Sequence, residues 1–96
     1  MGATAVSGTS VRRTVIMGNA PDGLHMRPAT AFAKLARAFR CTVTLRHADR
    51  TADGRSPTDL LMLIARPGSE LELTLDGEDS DTAVDPLVAI LVGTDD

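Results

Sequence analysis

Residues 70–75 read Glu-Leu-Glu-Leu-Thr-Leu, and this strict alternation is the pattern that most constrains the fold. Successive side chains of a β-strand point to opposite faces, so the three leucines share one face and the polar residues share the other. We therefore predict a half-buried strand with a core on one side of its sheet. Residues 41–46 alternate in the same way and predict a second such strand.

Helical spacing alternates with strand patterns along the chain. Phe32, Leu35, Ala36 and Phe39 recur at i, i+3, i+4 and i+7, which predicts one apolar helix face. The remaining elements are a first strand over residues 11–17, a weakly encoded third strand over 50–54, and two further helices after residues 56 and 78. The order β-α-β-β-α-β-α predicts an α+β fold, with three helices covering one face of a four-stranded antiparallel sheet.

Ser56 marks the predicted start of the second helix. Ser56 suits the N-cap, Pro57 suits the first helical position, and Asp59 stands where a capping box places an acidic residue. In the apolar run that follows, we predict core positions for Leu60, Leu63 and Ile64 and partial exposure for Leu61 and Met62.

Pro86 conflicts with the last predicted helix. The apolar stripe of this helix consists of Ala83, Val84, Leu87, Val88 and Leu91. An interior proline removes a hydrogen bond and costs ~3 kcal/mol, so we predict either a kink near residues 82–86 or a regular helix that begins close to Asp85.

Ninety-six residues are enough for one domain, which we assign to residues 11–96 after a disordered tail over residues 1–10. Hydrophobic residues make up 43% of the chain and charged residues 24%, which indicates a soluble protein. No apolar run of about 20 residues could cross a bilayer, and the N-terminus does not resemble a signal peptide.

Cys41 is the sole cysteine, which suits the reducing cytoplasm, and we predict that it packs as a small residue. We expect a monomer.

The net charge of −3 conceals an asymmetry. Residues 1–55 hold nine Arg or Lys and three Asp, a net charge of +6, whereas residues 56–96 hold one Arg and ten acidic residues, a net charge of −9. The acidic total and the lack of aromatic residues among the basic ones argue against nucleic-acid binding. The basic half is either solvated surface or a means of attracting acidic partner proteins.

His25 is the candidate reactive residue. Pro28 suits the first turn of a helix, and Gly23 lets the preceding chain turn sharply, so we predict that His25 lies at or beside the helix N-cap. Free N–H groups and the macrodipole there favour an anion, and Arg27 adds a cation that can bind phosphate oxygens. A neutral imidazole is a good nucleophile and leaving group, which indicates a phosphohistidine. The alternative is a polar cap beside a surface arginine. The other histidine, His47, is predicted to be a solvated residue at a strand end.

Residues 20–29 read A-P-D-G-L-H-M-R-P-A and resemble the active-site segment of the HPr family, the histidine phosphocarriers of the bacterial phosphoenolpyruvate-dependent sugar phosphotransferase system. Later landmarks fall at the family's spacing: Ser56, the Gly-Ser-Glu at residues 68–70, and the Asp-Gly-Glu-Asp at residues 76–79. The resemblance implies an open-faced β-sandwich with strand order 1-4-2-3.

The resemblance also implies a function. Phosphorylated enzyme I would transfer its phosphoryl group to Nδ1 of His25, and His25 would pass it to a sugar-specific enzyme IIA, with Arg27 stabilising the phosphoryl group. Such a chain is a component of the phosphotransferase system rather than a stand-alone enzyme, and it needs no metal or cofactor and no membrane contact. The implied docking residues are Leu24, Thr30, Lys34, Arg37 and Leu61.

The role of Ser56 and the role of the whole chain each allow two interpretations. Ser56 matches a position that a serine kinase phosphorylates in many family members, but its two following residues are not the usual apolar ones, and a plain N-cap is the alternative. The chain as a whole could instead be a regulatory module, in which the phosphorylation state of His25 controls partner proteins without sugar transport. A ligand-binding α+β domain with an incidental histidine would leave Gly23, Arg27 and Pro28 unexplained together.

Overall fold

A computed structural model describes residues 10–18 and 26–93 of the chain. The elements follow the predicted order and are β1 (Ser10–Ile16), α1 (Met26–Arg37), β2 (Thr42–His47), β3 (Arg50–Asp53), α2 (Pro57–Leu61), β4 (Glu70–Asp76) and α3 (Ser80–Val92). Strand β1 begins at Ser10, the last residue of the predicted tail, and residues 1–9 lie outside the described residues.

The four strands form one antiparallel sheet in the order β1-β4-β2-β3, so the implied order 1-4-2-3 is confirmed. β4 lies between β1 and β2, and its alternation sets the two faces of the sheet. Leu71, Leu73 and Leu75 are fully buried, whereas Glu72 and Thr74 lie on the opposite, more exposed face. The core therefore fills one side of the sheet only, as the leucine pattern predicts.

Helices α1 and α3 cover that buried face. Their inward stripes are Ala29, Phe32, Ala33 and Ala36 on α1, and Ala83, Val84, Leu87 and Leu91 on α3. The small residues of α1 let the helix lie close to its neighbours, and Phe32 supplies the largest fully buried side chain. Cys41 lies just before β2 and is buried, as predicted.

The alternative of a helix that begins close to Asp85 is wrong, because α3 runs from Ser80 with Pro86 inside it; the kink near residues 82–86 stays a prediction. The carbonyl that Pro86 cannot bond is that of Thr82, an exposed residue, so water can replace the missing donor. On the other face Ala83, Val84 and Leu87 are buried against the sheet. Their packing outweighs the lost hydrogen bond and keeps the helix continuous.

Two predictions fail where α2 ends. Ile64 is 53% exposed instead of buried, because the chain turns with a φ of +53° at that residue. His47 is partly buried instead of solvated, and its Nδ1 lies 2.8 Å from the carbonyl oxygen of Leu63. The carbonyl can only accept, so Nδ1 carries the proton and donates. The strand-end histidine thus binds the turn that follows α2.

Burial raises the pKa of the Cys41 thiol, with a further increase from Asp79 and an opposing decrease from Arg55. Because the thiolate is the reactive form, iodoacetamide should modify Cys41 at least ~10-fold more slowly in the native protein than in urea. A time course of intact mass at mildly alkaline pH measures both rates. Equal rates would contradict the burial of this thiol.

Candidate functional site

His25 and Leu24 lie outside the described residues, so the site is built from the segments that flank them. Helix α1 begins at Met26, the residue that follows His25 in the chain. Arg27 is exposed on its first turn, which contains Pro28, as predicted, and no acidic residue. The first-turn N–H groups, the helix macrodipole and the Arg27 guanidinium all favour an anion at this end of α1.

Gly18, which follows β1, contacts the end of α3. Its N–H donates to the carbonyl oxygen of Leu91 over 2.9 Å, and a Cβ at this position would lie 1.9 Å from the carbonyl oxygen of Val92. Gly18 therefore lies against the last turn of α3. No local sequence pattern predicts this contact with a helix more than 70 residues away.

The predicted docking residues of α1 form one stripe together with Arg27. Arg27, Thr30, Lys34 and Arg37 follow one another at intervals of three or four residues, and all are exposed. Such spacing places side chains on a common helix face. Lys34 and Arg37 also lie in the last turn, where they complement the macrodipole.

Leu61 is the last residue of α2, is half-buried, and packs against the core cluster. Helix α2 in turn packs on α1. The predicted docking residues of α1 and α2 therefore lie on two helices that are in contact. Their role in docking stays a prediction.

Ser56 is the N-cap of α2, as predicted. Its Oγ accepts from the backbone N–H of Asp59 over 3.2 Å. The reciprocal arm of a capping box is missing, because the Asp59 carboxylate accepts from the N–H of Asp53 over 3.4 Å. The N–H of Ser56 donates instead to the carbonyl oxygen of Asp53 over 3.0 Å. Ser56 thus lies between two aspartates.

Replacing Ser56 with alanine should lower the free energy of unfolding by about 1 kcal/mol, because the N–H of Asp59 loses its acceptor. Urea titration followed by circular dichroism measures the change. Thr58→Ala is the matched control, since Thr58 is exposed on the same short helix and gives no side-chain cap. Equal losses in the two variants would contradict the cap.

Within residues 10–18 and 26–93, no three His, Cys, Asp or Glu side chains gather as they would around a metal ion. None of the helices in these two segments has the length and apolar character that spanning a bilayer requires.

The sheet, the three helices on one face and the positive start of α1 define a small α+β domain of the open-faced β-sandwich class. The family model for the PTS HPr component phosphorylation site matches residues 11–92. The chain therefore belongs to the HPr family of phosphocarriers of the phosphotransferase system, and the resemblance seen in residues 20–29 is confirmed.

Individual relatives agree with this assignment. The phosphocarrier protein HPr of Haemophilus influenzae is 39% identical over 72 residues, which are 75% of this chain and 85% of that protein. The chain is similar in structure to a phosphocarrier protein HPr from Bacillus anthracis, with a TM-score of 0.80, 25% identity, and coverage of 86% of this chain and 98% of that one.

One relative is much longer than this chain. The phosphoryl donor subunit DhaM of the PEP-dependent dihydroxyacetone kinase of Providencia stuartii is 39% identical over 64 residues. Those residues are 67% of this chain and only 13% of the subunit, so the chain spans about an eighth of that relative's length.

Proposed function

We propose that this chain carries a phosphoryl group on His25, which it accepts from phosphorylated enzyme I and passes to a sugar-specific enzyme IIA. The observation that carries the proposal is the start of α1 at Met26, one residue after His25, with Arg27 exposed on a first turn free of acidic residues. The match to the family's phosphorylation-site model over residues 11–92 supports it.

The chemistry is a phosphoryl transfer in which a P–N bond to His25 forms and later breaks. In the first transfer, neutral Nδ1 of His25 attacks phosphorus as the bond to enzyme I breaks, and in the second transfer His25 is the leaving group. A helix N-terminus disfavours imidazolium, so the ring stays nucleophilic, and it then stabilises the negative charge of the bound phosphoryl group. Arg27 adds a guanidinium whose N–H groups fit phosphate oxygens.

The exposed stripe of α1 offers the partner proteins a docking surface. Arg27, Lys34 and Arg37 are exposed cations on a single helix face, which attracts acidic protein surfaces. Leu61 supplies an apolar contact on the adjacent helix. We place this function in the cytoplasm, where a chain with a single thiol stays reduced.

A second class of acceptor is favoured by one comparison. A relative with 39% identity is the phosphoryl donor subunit of a dihydroxyacetone kinase, so this chain could serve such a kinase instead of sugar transport. The regulatory alternative uses the same His25 chemistry with a different recipient. Incubation of the phosphorylated chain with candidate acceptors separates these cases, because only a true acceptor removes the phosphate rapidly.

For Ser56, we propose an N-cap role rather than regulation by a kinase. A phosphate on Ser56 Oγ would lie between the Asp53 and Asp59 segments, whose carboxylates oppose further negative charge. Pro57 also removes one first-turn N–H that a phosphate could use. Mass spectrometry after treatment with a serine kinase from the source organism tests this assignment, and stoichiometric modification of Ser56 would contradict it.

Incubation of the purified chain with enzyme I and radiolabelled phosphoenolpyruvate tests the main proposal. We expect one phosphate per chain that is labile in acid and stable in base, as a phosphohistidine is. An acid-stable phosphate, or no label at all, would refute the proposal.

A further inference from the structure

Met26 places a thioether in water at the start of α1. The residue is 63% exposed, so its side chain does not belong to the core. Of the other two methionines that the structure describes, Met17 is 2% exposed and Met62 is 65% exposed. An oxidant has to reach the sulfur atom to react with it, and methionine sulfoxide is a common product of such oxidation. Met26 and Met62 are therefore the methionines of residues 10–18 and 26–93 that a dissolved peroxide can reach.

The surroundings of these two methionines differ. Met26 is bonded to His25 in the chain and is the first residue of α1, whose first turn also holds the exposed Arg27. The unpaired N–H groups and the positive end of the macrodipole lie at this end of the helix. Met62 is the C-cap of α2, and a helix has unpaired carbonyl groups at that end instead. Oxidation of Met26 therefore changes the donor-rich end of a helix, whereas oxidation of Met62 does not.

A hydrogen bond holds the Met26 side chain along α1. Thr30, one turn later, donates from Oγ1 to Sδ of Met26 over 3.7 Å. A thioether sulfur is a weak acceptor, whereas the oxygen of the polar sulfoxide is a strong one. The same hydroxyl therefore binds the oxidised side chain more tightly than the reduced one. In this way Thr30 keeps the new S–O group beside the first turn of the helix.

The oxidation requires a peroxide as its only co-reactant. A lone pair of the Met26 sulfur attacks one oxygen of hydrogen peroxide, and the S–O bond forms as the O–O bond breaks. The proton of the transferred oxygen goes to the leaving hydroxide, which departs as water. The sulfur loses two electrons and the peroxide gains them. Methionine sulfoxide reductases reverse the change, so the modification is suited to regulation.

The sulfoxide oxygen competes with a phosphoryl group for the same donors. Pro28 has no N–H, so the first turn of α1 has one amide donor fewer than other helices have. Arg27 adds a guanidinium to this turn. A sulfoxide oxygen that accepts from one of these groups takes it away from the transferring phosphoryl group, whose negative charge depends on such donors.

We propose that Met26 is a modification site at which a peroxide slows phosphoryl transfer through His25, and that Thr30 positions the sulfoxide. This inference rests on the proposed phosphocarrier function and adds a reversible control to it. The reduced chain transfers phosphate at its full rate. The chain with a sulfoxide at residue 26 transfers phosphate about tenfold more slowly, because one charge-assisted hydrogen bond to the phosphoryl group is lost.

Two variants isolate the effects of the two exposed thioethers. Met62→Leu leaves Met26 as the exposed methionine of the described residues, and Met26→Leu leaves Met62. Leucine has a similar volume and does not react with peroxide. Each variant is treated with hydrogen peroxide, and the rate of a single turnover from phosphorylated enzyme I is measured before and after. Tryptic residues 14–34 contain both Met17 and Met26, and fragment ions show which of the two has gained oxygen.

Peroxide should lower the transfer rate of Met62→Leu about tenfold, and methionine sulfoxide reductase should restore the rate. Met26→Leu should keep its rate after the same treatment, although it retains Met62 and Cys41. This comparison separates the effect of Met26 from damage elsewhere in the chain. An unchanged rate in Met62→Leu with a sulfoxide at residue 26, or an equal loss of rate in Met26→Leu, would overturn the inference.

Thr30→Val, added to Met62→Leu, tests the positioning role of Thr30. Valine keeps the β-branched shape of threonine but has no hydroxyl, so the oxidised Met26 loses its donor. Peroxide should then slow transfer by no more than about threefold relative to the untreated double variant. A slowing as large as that of Met62→Leu alone would contradict the role of Thr30.

The transfer rate before treatment separates this inference from the proposed function. A chain that accepts no phosphate before any peroxide is added would refute the proposed function and the inference with it. Full transfer both before and after complete oxidation of Met26 would refute the inference alone.

Discussion

Replacing His25 with alanine is expected to lower phosphoryl acceptance from enzyme I by at least about a thousandfold, because the reaction loses its nucleophile. Incorporation of radiolabel from phosphoenolpyruvate, separated on gels kept alkaline, measures the loss. The fold should be unaffected, since α1 begins after this residue and its buried stripe is intact. Circular dichroism and thermal unfolding check this point.

The chain contains its own control for this experiment, because His47 is the only other histidine. His47 lies at the end of β2 and donates from Nδ1 to the carbonyl oxygen of Leu63, so it has no helix N-terminus beside it to stabilise a phosphoryl group. His47→Ala should therefore retain full labelling. Label retained in His25→Ala and lost in His47→Ala would reverse the assignment of the two residues.

Replacing Gly18 with alanine is expected to lower the free energy of unfolding by about 3 kcal/mol. The added Cβ would lie 1.9 Å from the carbonyl oxygen and 2.4 Å from the carbonyl carbon of Val92, so strand β1 or the end of α3 must move. That movement would also weaken the hydrogen bond from Gly18 N–H to Leu91. Urea titration followed by circular dichroism measures the change.

Gly68→Ala distinguishes this steric effect from a general intolerance of substitution at glycine. Gly68 has a φ of +87°, but no atom lies within 4 Å of a Cβ built there. Its replacement should cost about 1 kcal/mol, the strain of a left-handed alanine alone. A loss in Gly18→Ala no greater than that in Gly68→Ala would contradict the contact between β1 and the end of α3.

The sheet was predictable from the sequence because period-two alternation depends only on local geometry. Leu71, Leu73 and Leu75 lie on the buried face that their spacing predicts, and Phe32 and Ala36 do the same for α1. The order of the strands did not follow from such patterns; it came from the resemblance carried by residues 20–29.

The failed predictions share a physical cause, since each depends on contacts between distant segments. Pro86 is tolerated because the missing hydrogen bond faces water while neighbouring residues pack on the sheet. His47 is partly buried because the turn that follows α2 passes beside it and its Leu63 carbonyl accepts from the ring. Ile64 is exposed because the chain reverses there, whereas apolar composition alone suggested the core.

The local features of the candidate site were predictable from the sequence, as the sheet was. The exposed stripe from Arg27 to Arg37 follows from helical spacing, and the N-cap role of Ser56 follows from its neighbours. The contact of Gly18 with the end of α3 and the hydrogen bond from Arg50 to the end of α2 join distant residues, which local patterns do not encode.

Locating the phosphate in the freshly phosphorylated wild-type chain tests the central claim most directly. Trypsin cuts after Lys and Arg except before Pro, so His25, His47 and Ser56 fall in separate peptides, residues 14–34, 47–50 and 56–96. We predict that mass spectrometry at alkaline pH finds the phosphate in residues 14–34, with fragment ions placing it on His25. Phosphate in either of the other two peptides, with residues 14–34 unmodified, would contradict the claim that this chain works through an imidazole at the start of α1.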